Sequence, residues 1–346
     1  MNVSVLYALA AAALFGVSTP LAKLFGIGIN PLLLAGLLYL GSGLGLAVTR
    51  VIRDRGWRAS GLTPLEWPWL IGAIAFGGVL GPALLMFGLM RTSGATASLM
   101  LNLEAVLTAL VAWVVFKENA DRRIVAGMIA IVLGGLVLSW SQQRQPAFDW
   151  LGPMAITLAC LCWAIDNNLT RKVSGSDALF VAGSKGLVAA TVNCSLALFM
   201  GSRLPGISVL APTLLLGFLG YGVSLVLFVL ALRGLGSART GAYFSTAPFL
   251  GAAISLLLLN EPAPPLFWVA STLMGIGVWL HLTENHAHAH EHAPLKHNHR
   301  HVHDEHHQHK HAFKWESAEP HSHEHAHAPL QHSHFHFPDI HHRHRH

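Results

Sequence analysis

Apolar runs about twenty residues long follow one another from residue 3 to residue 282, separated by short polar stretches. A helix needs roughly 20 mostly apolar residues to cross the hydrocarbon core of a bilayer. Ten runs qualify, near 3–25, 31–51, 68–90, 94–116, 123–141, 150–170, 177–200, 212–232, 238–259 and 264–282. Proline and glycine inside several of them are tolerated where neighbouring helices re-satisfy the freed backbone groups. From Glu284 the pattern changes: the chain turns polar, and histidine recurs at every second position in several runs. The pattern predicts an all-α integral membrane protein of about ten transmembrane helices, followed by a disordered His-rich tail.

Composition sharpens this division. Of 346 residues, 53% are hydrophobic and 11% are charged, too few charges to keep the surface of a soluble domain wet. All 24 histidines lie at or beyond His281. Basic residues sit between the apolar runs and form no patch, so nucleic acid is not an expected partner. Cys160, Cys162 and Cys194 fall inside apolar runs, where they read as small packing residues. Met1–Ser4 carries no basic n-region, so the first run reads as a retained helix.

The loops set the orientation. Arg50, Arg53, Arg55, Arg58, Lys117, Arg122, Arg123, Arg171, Lys172, Arg233 and Arg239 fall on one side, against Lys23, Arg91, Arg144 and Arg203 on the other. Eleven against four puts the first group in the cytoplasm. With ten spans, both termini are then cytoplasmic, in a multi-pass protein of the bacterial inner membrane.

The apolar part also repeats itself. Leu89–Val137 aligns without gaps on Leu232–Leu280, a shift of 143 residues, with Ala95 on Ala238, Glu118 on Glu261 and Gly134 on Gly277. Earlier helices match at slightly different shifts: Phe15-Gly16 falls on Trp163-Ala164, and Tyr39 on Lys185. Five helices per half invert the second half relative to the first, the plan of secondary transporters that bind substrate near the midplane between halves. The expected domains are 1–140 for the first five-helix repeat, 141–149 for a linker, 150–283 for the second repeat and 284–346 for the tail.

These repeats carry a resemblance. Leu101-Asn102-Leu103-Glu104-Ala105-Val106 leads to Phe116-Lys117-Glu118; the second copy is Ala247-Pro248 leading to Asn260-Glu261, then Gly275-Ile276-Gly277-Val278. Leu14-Phe15-Gly16 with Lys23 is matched by Trp163-Ala164 with Arg171-Lys172. The ordered set resembles the EamA family of the drug/metabolite transporter superfamily over residues 3–282. The resemblance implies export or exchange of small polar metabolites, often driven by the proton gradient. Two positions depart from the family pattern. Ala105 stands where relatives carry Pro, which predicts that the first copy lacks a helix break, and Tyr39 stands where many carry Arg.

Ionisable groups at bilayer depth are costly and usually face a partner or a wet cavity. Glu104 lies near the middle of the fourth run, with Asn102 two residues before it; Asp166 lies in Trp163-Ala164-Ile165-Asp166-Asn167-Asn168, and Lys185 in the seventh run. The expected substrate cavity is built from Glu104, Asp166, Lys185, Asn102, Asn167, Asn168, Tyr39 and Trp163. Either acid would bind a cation or carry a proton, because burial disfavours a charged carboxylate; Lys185 would balance charge or meet an anionic group. The competing reading is a structural ion pair of Lys185 with Asp166. Glu118 and Glu261 close helices at the interface and read as topological or gating residues.

The tail is duplicated at a spacing of 35 residues: His288-Ala289-His290-Glu291-His292-Ala293-Pro294-Leu295 recurs as His323-Glu324-His325-Ala326-His327-Ala328-Pro329-Leu330. Imidazole suits Zn, Ni, Co and Cu, and closely spaced copies supply the several nitrogens one ion needs. The expected metal ligands are His288, His290, His292, His297, His299, His301, His306, His307, His309, His323, His325, His327, His332, His334, His336, His341, His342 and His344. No cofactor is required, but a divalent Zn, Ni, Co or Cu ion on the tail is expected. Two functions stay open: export of a small solute with divalent metal as the favoured cargo, or export of an amino acid or metabolite by a protein whose tail only buffers or senses metal. An enzyme is not expected, since no nucleophile–base set or phosphate loop is present. The expected partners are the lipid bilayer, a small-molecule or ion substrate and a second copy of the chain in a homodimer.

Overall fold

The structure is a computed structural model that describes residues 3–56, 59–115, 122–142, 150–173, 176–283, 287–292, 295–301, 321–327 and 330–335. Among the described residues, thirteen α-helices are found, all before residue 284. They are α1 (Val3–Phe25), α2 (Pro31–Asp54), α3 (Trp67–Ala73), α4 (Gly81–Leu89), α5 (Gly94–Met100), α6 (Leu103–Val114), α7 (Arg122–Gln142), α8 (Leu151–Val173), α9 (Ala178–Phe199), α10 (Ile207–Leu216), α11 (Ser224–Phe244), α12 (Ala247–Leu258) and α13 (Pro265–Leu282).

Local chemistry sets several boundaries. Asn30 accepts a hydrogen bond from the Leu32 amide and Pro31 opens α2, a favourable start because the proline amide would have no partner there. Arg55, in the left-handed region at φ 52°, ends the same helix. Ser93 Oγ accepts from Thr96 N at the start of α5, and Asp177 does the same for Leu179 N at α9.

Among the described residues, seven helical runs are long and apolar enough to cross a membrane: Val3–Phe25, Pro31–Asp54, Trp67–Leu89, Gly94–Val111, Ala178–Phe199, Ile207–Leu232 and Thr240–Leu258. Val125–Leu138 and Pro265–Leu280 are apolar but shorter. Helix α8 has the length, and its Asp166-Asn167-Asn168 run makes it more polar. Large apolar side chains such as Ile52, Leu136 and Trp279 stand exposed on the outside, as suits a surface facing lipid.

Two of the long runs contain π-helical segments, Ile74–Leu80 between α3 and α4 and Gly217–Val223 between α10 and α11. They lie 143 residues apart, the shift found in the sequence. A π-helical turn places one extra residue in the winding, and such turns often mark functional sites. The fourth run is also broken. Helix α5 ends at Met100 and α6 begins at Leu103, so the continuous helix predicted from Ala105 is not formed. Asn102 supplies the reason: its Nδ2 donates to Leu99 O at 3.0 Å, occupying a carbonyl at the break without a proline. The second copy breaks between α11 and α12, with Pro248 in the first turn of α12.

Helices from the two halves pack across one another: α2 on α9, α13 on α7, and α1 on α11 and α12. Lipid supplies no hydrophobic drive for helix association, so close backbone approach does much of this work. A Cβ at Gly41 would run into the Leu214 backbone, and one at Gly217 into the Leu38 backbone. The central core includes Leu34, Leu38, Leu85, Met86, Leu99, Ile156, Ala159 and Met274.

The tail forms a unit of its own, Asn285–Phe337. Four strands are described in it: β1 (Ala287–His292), β2 (Leu295–His301), β3 (His321–His327) and β4 (Leu330–Phe335). Strands β1 and β4 pair antiparallel, as do β2 and β3. Alternating histidine has the two-residue period of a strand. His288 stands opposite His334 and His290 opposite His332; His297, His299 and His301 stand opposite His325, His323 and His321. His306, His307, His309, His336, His341, His342 and His344 lie outside the described residues, as do Glu118 and residues 143–149 of the expected linker.

Candidate functional site

The break between α5 and α6 and the polar run of α8 bring most of the predicted interior residues together. Glu104 occupies the first turn of α6 and is half-buried. Asn167 Nδ2 on α8 donates to Glu104 Oε1 at 2.8 Å and approaches Thr108 Oγ1 at 3.5 Å. Asn168 Nδ2 donates to Ala164 O at 2.8 Å and to Thr108 O at 3.4 Å, tying α8 to α6. Buried Asn102 completes the break, and its Oδ1 has no hydrogen-bond partner among the described residues.

Asp166, one position before Asn167, faces a different neighbour. Lys185 Nζ on α9 lies 2.6 Å from both of its carboxylate oxygens, and Thr170 Oγ1 donates to Oδ1 at 2.8 Å. Both side chains are nearly sealed from solvent, with 3% exposure for Lys185 and 8% for Asp166. A Cβ on Gly77, in the first π-helical segment, would collide with the Asp166 carboxylate. Gly77 O in turn accepts from Tyr39 Oη at 3.0 Å and from Trp163 Nε1 at 3.1 Å.

An aromatic cluster adjoins this carbonyl. Phe15 lies edge-on to Trp163, its partner in the repeat, with ring centroids 6.0 Å apart. Phe15 also meets Tyr221 at 5.8 Å and Phe244 at 5.4 Å, and Tyr39 meets Tyr221 at 5.5 Å. The eight predicted residues thus form two polar groups, Glu104 with Asn167, Asn168 and Asn102, and Asp166 with Lys185, while Tyr39 and Trp163 converge on Gly77. The sequence reading missed Thr108 and Thr170. Each stands four residues after an acid, the helical spacing that stacks side chains on one face. Gly77 acts through its backbone and leaves no such signal.

Charges also gather at the two ends of the helical unit. Glu261 Oε1 accepts from Gly94 N and Oε2 from Ala95 N, both at 2.8 Å, and Lys23 Nζ donates to Oε1 at 2.9 Å and to Thr92 O at 2.7 Å. At the end of α2, Arg53 and Arg50 clasp Asp177 at 2.6 and 3.0 Å. Burial opposes charge on Asp177, but hydrogen bonds from Arg53 and Arg50 outweigh it and hold the carboxyl at about 2. Among residues with described side chains, no three His, Cys, Asp or Glu side chains gather as a metal site.

The model of the EamA-like transporter family matches the chain twice, over residues 2–140 and 150–283. An uncharacterized transporter from Methanothermobacter thermautotrophicus is 25% identical over 284 residues, covering 77% of this chain and 82% of its own. A probable 4-amino-4-deoxy-L-arabinose-phosphoundecaprenol flippase subunit, ArnE, from Pseudomonas paraeruginosa is 41% identical over 112 residues, 31% of this chain and 93% of its own. A crystal structure with 19% sequence identity superposes with a TM-score of 0.62, covering 80% of this chain and 94% of the other, and supports the fold alone.

Proposed function

The chain belongs to the EamA-like transporter family, and from that premise we propose that it is a secondary transporter that moves a small organic solute out of the cell, with Glu104 as its working acid. The two matched segments are read as five-helix repeats of opposite orientation, making ten spans with both termini in the cytoplasm. The two π-helical segments at a spacing of 143 residues support this reading. In such a protein the solute crosses near the midplane, where broken helices offer free backbone and polar groups.

One observation carries the role of Glu104: it is a carboxyl beside an intramembrane helix break, and a neutral amide, Asn167 Nδ2, donates to it at 2.8 Å. Asp166 is matched by a cation at 2.6 Å and serves as framework. A carboxyl held by an amide can exchange a proton without breaking an ion pair, the behaviour a coupling site requires. The interior polar set of one carboxyl, three amides and a hydroxyl favours an organic solute over a divalent transition metal, because among the described residues no three His, Cys, Asp or Glu side chains gather as its ligands. The tail, with its opposed histidines, is read as a metal buffer or sensor on the cytoplasmic side.

The test compares cells carrying the full chain, a chain truncated after Thr283, and Glu104→Gln. The full and truncated chains are expected to release organic solutes into the medium, read by mass spectrometry, and Glu104→Gln to release none above background. Metal efflux that requires Glu104, with an unchanged organic profile, would overturn the organic-solute reading.

A further inference from the structure

Glu261 joins three segments remote in sequence. It follows α12, in the second matched segment, and reaches the first two amides of α5 and Lys23 near the end of α1, in the first. Lys23 doubles the tie by donating to Thr92 O just before α5. All these groups lie at one end of the helical unit, which the loop charges assign to the side opposite the cytoplasm.

Below this junction the helices meet along a smooth seam. A Cβ on Gly16 of α1 would strike Ala247 O, and one on Gly251 of α12 would stand 2.8 Å from Gly16 O and from Ser98 Oγ of α5. A Cβ on Gly94 would stand 2.8 Å from Ser255 Oγ. Backbone and hydroxyl atoms make the closest of these approaches, with Leu250 and Leu259 beside them, so the seam can part by sliding small surfaces past one another. Ser98 Oγ and Ser255 Oγ are buried with no partner among the described residues, as is Thr92 Oγ1 beside Lys23's acceptor. Buried hydroxyls left unpaired are destabilising, and water entering a parted seam would satisfy them. Beyond the break the arrangement changes, and α6 packs on α8 and α7.

We propose that Lys23, Glu261 and the first turn of α5 form a latch that holds this end shut and releases when the transporter opens towards it. The solvent contact of the pair suits a latch. Lys23 is 26% exposed and Glu261 11%, so water reaches both charges and can take over their hydrogen bonds. The Asp166–Lys185 pair, at 8% and 3%, could part only at a heavy desolvation cost. The latch rests on the transporter reading but not on the role of Glu104.

The test places a reporter in the seam. Ser98→Cys is introduced into the full-length protein in membranes, and its labelling by a membrane-impermeant maleimide is measured from each face, with the parent chain as background. With the latch intact, labelling from the Lys23 face is expected to be slow. Lys23→Met and Glu261→Gln should each raise it about tenfold, and Lys23→Arg should restore the slow rate. Unchanged labelling in both variants would overturn the latch. An equal rise from both faces would overturn it too, since that pattern reports loss of fold rather than release of one end. The readout needs no transported solute, so failure of the latch and failure of Glu104 as coupling acid are distinguishable.

Discussion

Glu104 and Asp166 are two acids at similar depth in one helical unit, and their surroundings treat them in opposite ways. Asp166 has a cation on both oxygens, a threonine hydroxyl on one and a glycine against its carboxylate. Glu104 has one amide donor and stands where a helix is interrupted. A buried ion pair is stable while both partners remain and costly once either is lost. A carboxyl beside neutral donors is free to change its proton count. The same side-chain chemistry is therefore matched by a cation at one position and held by a neutral amide at the other.

The comparison breaks most visibly at the ion pair. Lys185→Met strands the Asp166 carboxylate and is expected to destabilise the protein by about 3–5 kcal/mol, read as a lower unfolding midpoint in detergent. Combining it with Asp166→Leu should recover most of that loss, because the pair is removed together. Gly77→Ala tests the same place by volume. The added methyl meets the Asp166 carboxylate, with an expected cost of about 1–3 kcal/mol in the same melt. Asn167→Ala removes the donor to Glu104 and should cost about 1 kcal/mol, far less than Lys185→Met. If Asn167→Ala and Lys185→Met cost the same, the contrast between the two acids fails.

A charge effect is expected at the end of α2. The folded value of Asp177, about 2, is below its ordinary value of 3.8, so its contribution to stability is present above pH 4. That contribution fades as the pH falls towards 2. Asp177→Asn should therefore lower the melting midpoint at pH 6 and narrow the gap to wild type as acid is added. A gap that is constant with pH would show that the arginine cluster contributes nothing through charge.

The apolar runs made much of the helical frame legible before any coordinates. The first helix is found at the predicted residues, 3–25, and the second begins at Pro31 as predicted and runs three residues further than expected. Hydrophobic run length reports helix length directly when lipid is the solvent, which is why these edges are readable. The break at Leu101-Asn102 was not, because a missing proline at Ala105 removed the expected breaker while Asn102 replaced its effect. The pairing of Lys185 with Asp166 stood in the sequence as one of two readings, since both residues lie on predicted helices nineteen positions apart. The convergence of Tyr39 and Trp163 on Gly77 was invisible, because a carbonyl carries no residue-specific mark. In the tail, alternating histidine shares the two-residue period of a strand, and the described strands β1 to β4 carry that alternation.

The central proposal is that Glu104 is an acid that changes its protonation. Infrared difference spectroscopy across a pH step, on protein reconstituted in lipid, tests it most directly by following the carbonyl stretch of a protonated carboxyl. The account predicts a titrating band in wild type that Asp166→Asn retains and Glu104→Gln abolishes. A band that survives in Glu104→Gln and disappears in Asp166→Asn would contradict it.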